Sequence, residues 1–224
     1  MGYPSIDEIA EQCASWDFIE NLPKEINGFT KVKLLQKKGQ LLYICSFINK
    51  KARIQLDIIY TAETFDYILI KKIGLNEYRD IRFIYKKKDV FAKEINVKLD
   101  VLTKELMSNN ADDLGYLVKE KGILDWEYGN SLPTKIGNFE LYIKPSNAIR
   151  YLNGSIIFVD YSDFTNQDQL VILYNVLRDE IFAELKIGGA FQTLRDFDVC
   201  DLQELEKRLS KYLKPLLENI RTRK

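Results

Sequence analysis

The chain's two tryptophans sit inside the same local pattern. Trp16-Asp17-Phe18 is followed by Leu22-Pro23, Ile26 and Phe29, and Trp126-Glu127-Tyr128 by Leu132-Pro133, Ile136 and Phe139. The offset is constant (126 − 16 = 110). Matched aromatic, proline and apolar positions at fixed spacing mark an internal repeat, so the 224 residues read as one unit used twice. Further on, Leu99, Leu102, Lys104 and Leu106 match Leu202, Leu205, Lys207 and Leu209 at an offset of 103, which would make the second copy seven residues shorter in its middle. The units are expected at 1–110 and 111–224, meeting at the polar Ser108-Asn109-Asn110.

Periodicity fills in each unit. Ser5 with Glu8 forms a capping box for a helix carrying Ile6, Ile9, Ala10 and Cys13. Past Pro23 and Gly28, three strands read from Phe29 to Leu34, Leu41 to Ile48 and Arg53 to Ile59. Thr61 then opens a predicted helix through Ile73, capped by Gly74, and a hairpin about Lys88-Asp89 joins strands at 79–86 and 90–96. A closing helix carries Leu99, Leu102 and Leu106. The second unit repeats the order. A helix opens at Asp112 and Asp113, and strands follow at 139–144, 148–152 and 155–161. A helix from Thr165 or Asn166 to Leu177 is predicted next, then a hairpin about Gly188-Gly189 and a last helix from Asp201. Two tandem α-βββ-α-ββ-α repeats, with antiparallel sheets and helices on one face, make the fold class α+β.

Composition narrows function by exclusion. There is no histidine, which removes the commonest general base and the commonest metal ligand. Lys plus Arg and Asp plus Glu are both 33, so the basic footprint of a nucleic-acid binder is missing. Cys13, Cys45 and Cys200 form no CxxC pair, and an odd count suits a reducing compartment. No apolar run approaches membrane length and the N-terminus does not read as a signal peptide, so a cytoplasmic protein without cofactors or metals is expected.

The order α-βββ-α-ββ-α, met twice, resembles the fold of type III secretion chaperones and the related YbjN and toxin-associated chaperone-like domains. The resemblance implies a covalent pseudo-dimer that presents a surface to a toxin, an effector or an unfolded client. The leading expectation is a non-enzymatic protein-binding module, chaperone-like or immunity-like, that occludes its partner by strand addition at an open edge or by packing on aromatic residues. Trp16, Phe18, Trp126 and Tyr128 are the candidate partner-binding residues, with core packing as their alternative role.

One enzymatic alternative survives the missing histidine. Glu184-Leu185-Lys186 on a strand, with Asp160 on an earlier one, matches the Mg²⁺-dependent PD-(D/E)xK nuclease pattern, in which carboxylates hold the metal and the lysine polarises water. Any solvent-facing strand also displays E-x-K. Lys86-Lys87-Lys88 beside Phe83 and Tyr85 could touch phosphates, but reads first as a solvated turn. The halves are mildly asymmetric, with 18 basic and 15 acidic residues in 1–110.

Overall fold

Ser5 opens the first helix as its sequence predicts: its hydroxyl accepts from the Glu8 amide, and the Glu8 carboxylate accepts from the Ser5 amide at 2.6 Å. The computed structural model describes residues 4–107 and 114–220. The linker expected at Ser108-Asn109-Asn110 and the helix start at Asp112-Asp113 lie outside the described residues. The chain divides into two compact units, Met1–Ser108 and Asn109–Lys224.

In unit 1, helices α1 (Ile6–Ala14) and α2 (Asp17–Asn21) precede six strands and a long helix. The strands are β1 (Glu25–Ile26), β2 (Phe29–Lys38), β3 (Leu41–Asn49), β4 (Ile54–Thr61), β5 (Asp66–Ile73) and β6 (Asn76–Tyr85). They form one antiparallel meander in chain order, closed by α3 (Lys88–Met107). Unit 2 has short helices α4 (Tyr116–Glu120) and α5 (Glu127–Asn130), then β7 (Lys135–Ile136), β8 (Phe139–Ile143) and β9 (Ile149–Arg150). It continues with β10 (Ser155–Asp163), β11 (Asp168–Asn175), β12 (Glu180–Ile187), β13 (Ala190–Val199) and α6 (Leu202–Asn219). Its sheet runs β13-β12-β11-β10-β8-β7, with β9 on the margin of β10. The fold class is α+β, with antiparallel sheets.

The bounds of the two units coincide in detail. β1 and β7 start 110 apart (135 − 25), and β3, β4, β5 and β6 coincide with β10, β11, β12 and β13 at 114 (155 − 41). Left-handed backbone recurs at the same offset: Arg53 with Gln167, Phe65 with Asp179, Gly74 with Gly188. So does the bulge after Tyr43 in β3, which returns after Ile157 in β10. The second unit is therefore four residues longer between β8 and β10, where Pro145–Asn147 forms a helical turn, and not seven shorter. The offset of 103 aligned leucines that any amphipathic helix supplies. The corresponding core positions are Phe91 with Leu205, Ile95 with Leu209 and Leu99 with Leu213, all buried.

The order within each unit corrects the expected α-βββ-α-ββ-α. Residues 61–73 hold no helix: they are the end of β4, a turn and β5, and residues 165–177 likewise carry β11. Conversely, 90–96 is the first half of α3, not a strand about a Lys88-Asp89 turn. The two missed strands share a cause. β5 and β11 are buried along almost their whole length, so Tyr67 to Ile70 and Leu170 to Tyr174 run as unbroken apolar stretches with no alternation to mark them as strands. One face of the unit 2 sheet packs under helices, with Leu205, Leu209 and Leu213 against Tyr161, Ile172 and Phe197. The opposite face carries its own cluster of Ile143, Ile157, Val171 and Leu173. Unit 1 has the same second cluster in Tyr43, Ile59, Ile68 and Ile70.

Candidate functional site

The tryptophan motif builds core. Trp16 and Phe18 are buried, with ring centroids 4.7 Å apart, and Trp16 meets Tyr67 edge-on at 5.8 Å. Trp126 packs on Phe158 at 6.2 Å and on Tyr128 at 5.7 Å, while the Tyr128 hydroxyl lies 3.0 Å from Ser210 Oγ on α6. Leu22, Phe29, Leu132, Ile136 and Phe139 of the same pattern are buried too. These side chains hold the short helices against the sheet.

Asp160, Glu184 and Lys186 share the sheet face away from α6, since Asp160 pairs with Val171 and Val171 with Glu184 across β10, β11 and β12. Asp160 and Glu184 are thus separated by a whole intervening strand. Asp160 is fully buried and its oxygens accept from Ser162 Oγ at 2.7 Å and Gln169 Nε2 at 2.9 Å. Burial pushes the Glu184 carboxyl up from its ordinary value. Lys186 Nζ lies over the Phe191 ring at 5.6 Å. Among the described residues, no group of three acidic or cysteine side chains converges closely enough to hold a metal ion.

Unit 1 holds a similar polar set on the corresponding face. Asp57, fully buried on β4, accepts from Ser46 Oγ and from Gln55 Nε2 at 2.5 Å, and pairs with Lys72 Nζ at 2.9 Å. Each unit thus ties one buried aspartate to a serine and a glutamine; in unit 1 both bond Asp57 Oδ1, and Oδ2 faces the Lys72 ammonium. The thiols offer no nucleophile in the interior either: burial pushes Cys13 up to about 11 and Cys45 up to about 12.

The sheet edges are guarded. β6 is outermost in its sheet, but Ile68 pairs with Ile84 and Ile70 with Arg79, so residues 80–83 bulge out of the ladder. β13 does the same at 195–198, between Leu194 and Val199. At the other margin the two-residue β1 covers only Phe29 and Thr30, and the rest of β2 carries Lys31, Lys33, Lys37 and Lys38. Bulges and edge lysines are the devices that stop strand addition, which disfavours the edge-pairing mode expected from the sequence. Of the lysine run, Lys86 pairs with Asp66 at 3.1 Å and Lys88 lies over the Trp16 ring at 6.0 Å.

What sequence reasoning missed is the outward face of α3. Phe91, Ile95, Leu99 and Leu102 point into the core, yet Val90, Val97 and Val101 on the other side are exposed, Val97 by 69% and Val101 by 53%. Spacing of four places Val97 directly above Val101. Ile81, on the adjacent β6, is 82% exposed. The equivalent positions in unit 2 are Glu204, Lys211, Pro215 and Arg195, so this fold accepts charge or proline there. The available signal was a helix with apolar residues on both sides, hidden by reading 90–96 as a strand. Compared with protein-family models, curated proteins and solved structures, the chain matches none.

Proposed function

We propose that the chain is a non-enzymatic protein-binding module, built from two copies of one α+β unit, that acts by covering a surface of its partner. The observation that supports this is the α3 face: valines stand in solvent where the matching helix of the same chain carries glutamate, lysine and proline. Apolar residues that the core does not need, placed where the fold tolerates charge, are what a recognition surface requires. The settings that suit an occluding protein are neutralisation of a toxin, or escort of an effector or client, in the cytoplasm. No described helix is long and apolar enough to cross a membrane.

The test is a photo-crosslinking amino acid placed at Val97 and, as control, at Lys211 in cells expressing the full chain. The expected result is a discrete protein adduct from position 97 and none from 211. Nucleic-acid adducts, or equal labelling from both sites, would overturn the proposal. Purified protein with Mg²⁺ is expected to leave DNA and RNA intact; cleavage lost in Glu184→Ala and Lys186→Ala would replace it with the nuclease.

A further inference from the structure

We infer that the outward face of α3 docks an amphipathic helix whose apolar stripe is flanked by carboxylates. This rests on the protein-binding reading and adds the chemistry of the partner. Three observations carry it.

The first is geometry. Val90, Val97 and Val101 recur at steps of seven and four along a helix of 20 residues, about 30 Å long, which is a ridge that a second helix can pack against. An extended partner would need a sheet edge, and the edges of unit 1 are bulged at residues 80–83 and lined with lysine on β2.

The second is the state of the charges around the ridge. Three of the four acidic residues of α3 are already paired within the unit: Glu94 with Lys98 at 2.7 Å, Asp100 with Lys104 at 2.7 Å and Glu105 with Arg82 at 3.8 Å. Among the described residues, Lys87 and Lys93 make no ion pair, and Asp89 alone is an unpaired acid on the helix. At the far end, Asn49 Nδ2 lies 3.3 Å from Met107 Sδ, which brings the turn carrying exposed Lys50 and Lys51 beside the end of α3. With Asp89 set against Lys87 and Lys93, the net uncompensated charge at both ends of the ridge is positive, matching the excess of 18 basic over 15 acidic residues in 1–110.

The third is the internal control. Unit 2 carries Glu204, Lys211 and Pro215 at these positions, so a second copy's α6 offers no matching apolar stripe. A partner of different sequence fits better than head-to-tail stacking of the chain on itself.

Two synthetic helical peptides of about 20 residues, sharing one leucine stripe and flanked by glutamate in one and lysine in the other, provide the probe. Fluorescence anisotropy with the full chain is expected to show the glutamate peptide bound at least tenfold tighter, with that margin shrinking as salt rises. Val97→Asp/Val101→Asp is expected to weaken it at least tenfold, and Val97→Ser/Val101→Ser, a milder change, to weaken it as well. Lys87→Glu/Lys93→Glu is expected to invert the preference between the peptides. Equal binding of both peptides, or unchanged binding by both valine variants, overturns the inference. If sedimentation shows a dimer that Val97→Asp dissociates, the occupant is a second copy and the inference fails. Failure of the peptides alongside a protein adduct from position 97 removes the acidic helix but leaves the binding module; absence of both removes the two together.

Discussion

Lys71 and Asp80 show at the residue scale how matched positions of the two units can solve the same packing problem differently. In unit 1 both side chains are nearly buried and their charged atoms are 2.9 Å apart, and Arg82 adds bonds to the same carboxylate at 2.8 and 3.0 Å. Burial opposes ionisation of Asp80, but the Arg82 guanidinium and the Lys71 ammonium outweigh it and hold the carboxyl well below the usual range. The same positions in unit 2 are Leu185 and Leu194 (185 − 71 = 114, 194 − 80 = 114). Removing one partner strands a buried charge, while an apolar pair fills the space without desolvation. Asp80→Ala is therefore expected to destabilise unit 1 by about 3–5 kcal/mol, whereas Lys71→Leu/Asp80→Leu recovers most of that loss. With one tryptophan per unit, fluorine NMR of the 5-fluorotryptophan chain in urea follows each unit separately. Because the carboxyl is depressed in the folded state, its contribution is complete above about pH 4 and lost as pH falls through its folded value, so the wild type loses more stability on acidification than the double variant. Gly129 is a second such site. A β-carbon there would lie 2.1 Å from Trp126 Cε3 and 2.7 Å from Pro145 Cγ, so Gly129→Ala is expected to cost unit 2 about 1–3 kcal/mol in the same measurement.

At the scale of elements, the closing helices carry the contrast between what a fold requires and what it leaves free. α6 follows an N-cap, Asp201, whose carboxylate accepts from the Glu204 amide at 2.8 Å, and it buries Leu205, Leu209, Leu213 and Leu217 at steps of four. Leu209→Ala is expected to cost about 2–5 kcal/mol and Asp201→Ala about 1 kcal/mol, read as shifts in the urea midpoint of the Trp126 resonance. Both helices were legible as helices, although the start of α3 was not. Its first turns lie beside Lys88-Asp89, which resembles a hairpin turn, and its exposed valines break the single stripe that marks an amphipathic helix. β5 and β11 failed for the complementary reason. A strand covered on both faces loses its period of two, and Ile68 to Ile70 offers the same apolar run that a buried helix would. The hairpins at Gly188-Gly189 and the cap at Ser5 were read correctly because they depend on a few adjacent residues and not on what covers them.

At the scale of the molecule, the matched tryptophan segments and the missing histidine are properties of the sequence alone. The tryptophan pattern at an offset of 110 depends only on residue identity and spacing, and the absence of histidine removes whole classes of chemistry however the chain folds. The α+β class followed from hairpin signals and terminal helices. The candidate site could not be reached in that way. Whether Trp16 is a contact for a partner or a core anchor depends on Tyr67 and Phe18 closing around it, and those residues lie on separate elements. Whether Asp160 and Glu184 converge depends on the strand that separates them in the sheet. Whether a valine on α3 is core or surface depends on which side of the helix the sheet takes, and the sequence, with apolar residues on both sides, does not choose. Local patterns determined the matched tryptophan segments and the absence of histidine; exposure, a property of the packed whole, was decided only when the elements came together.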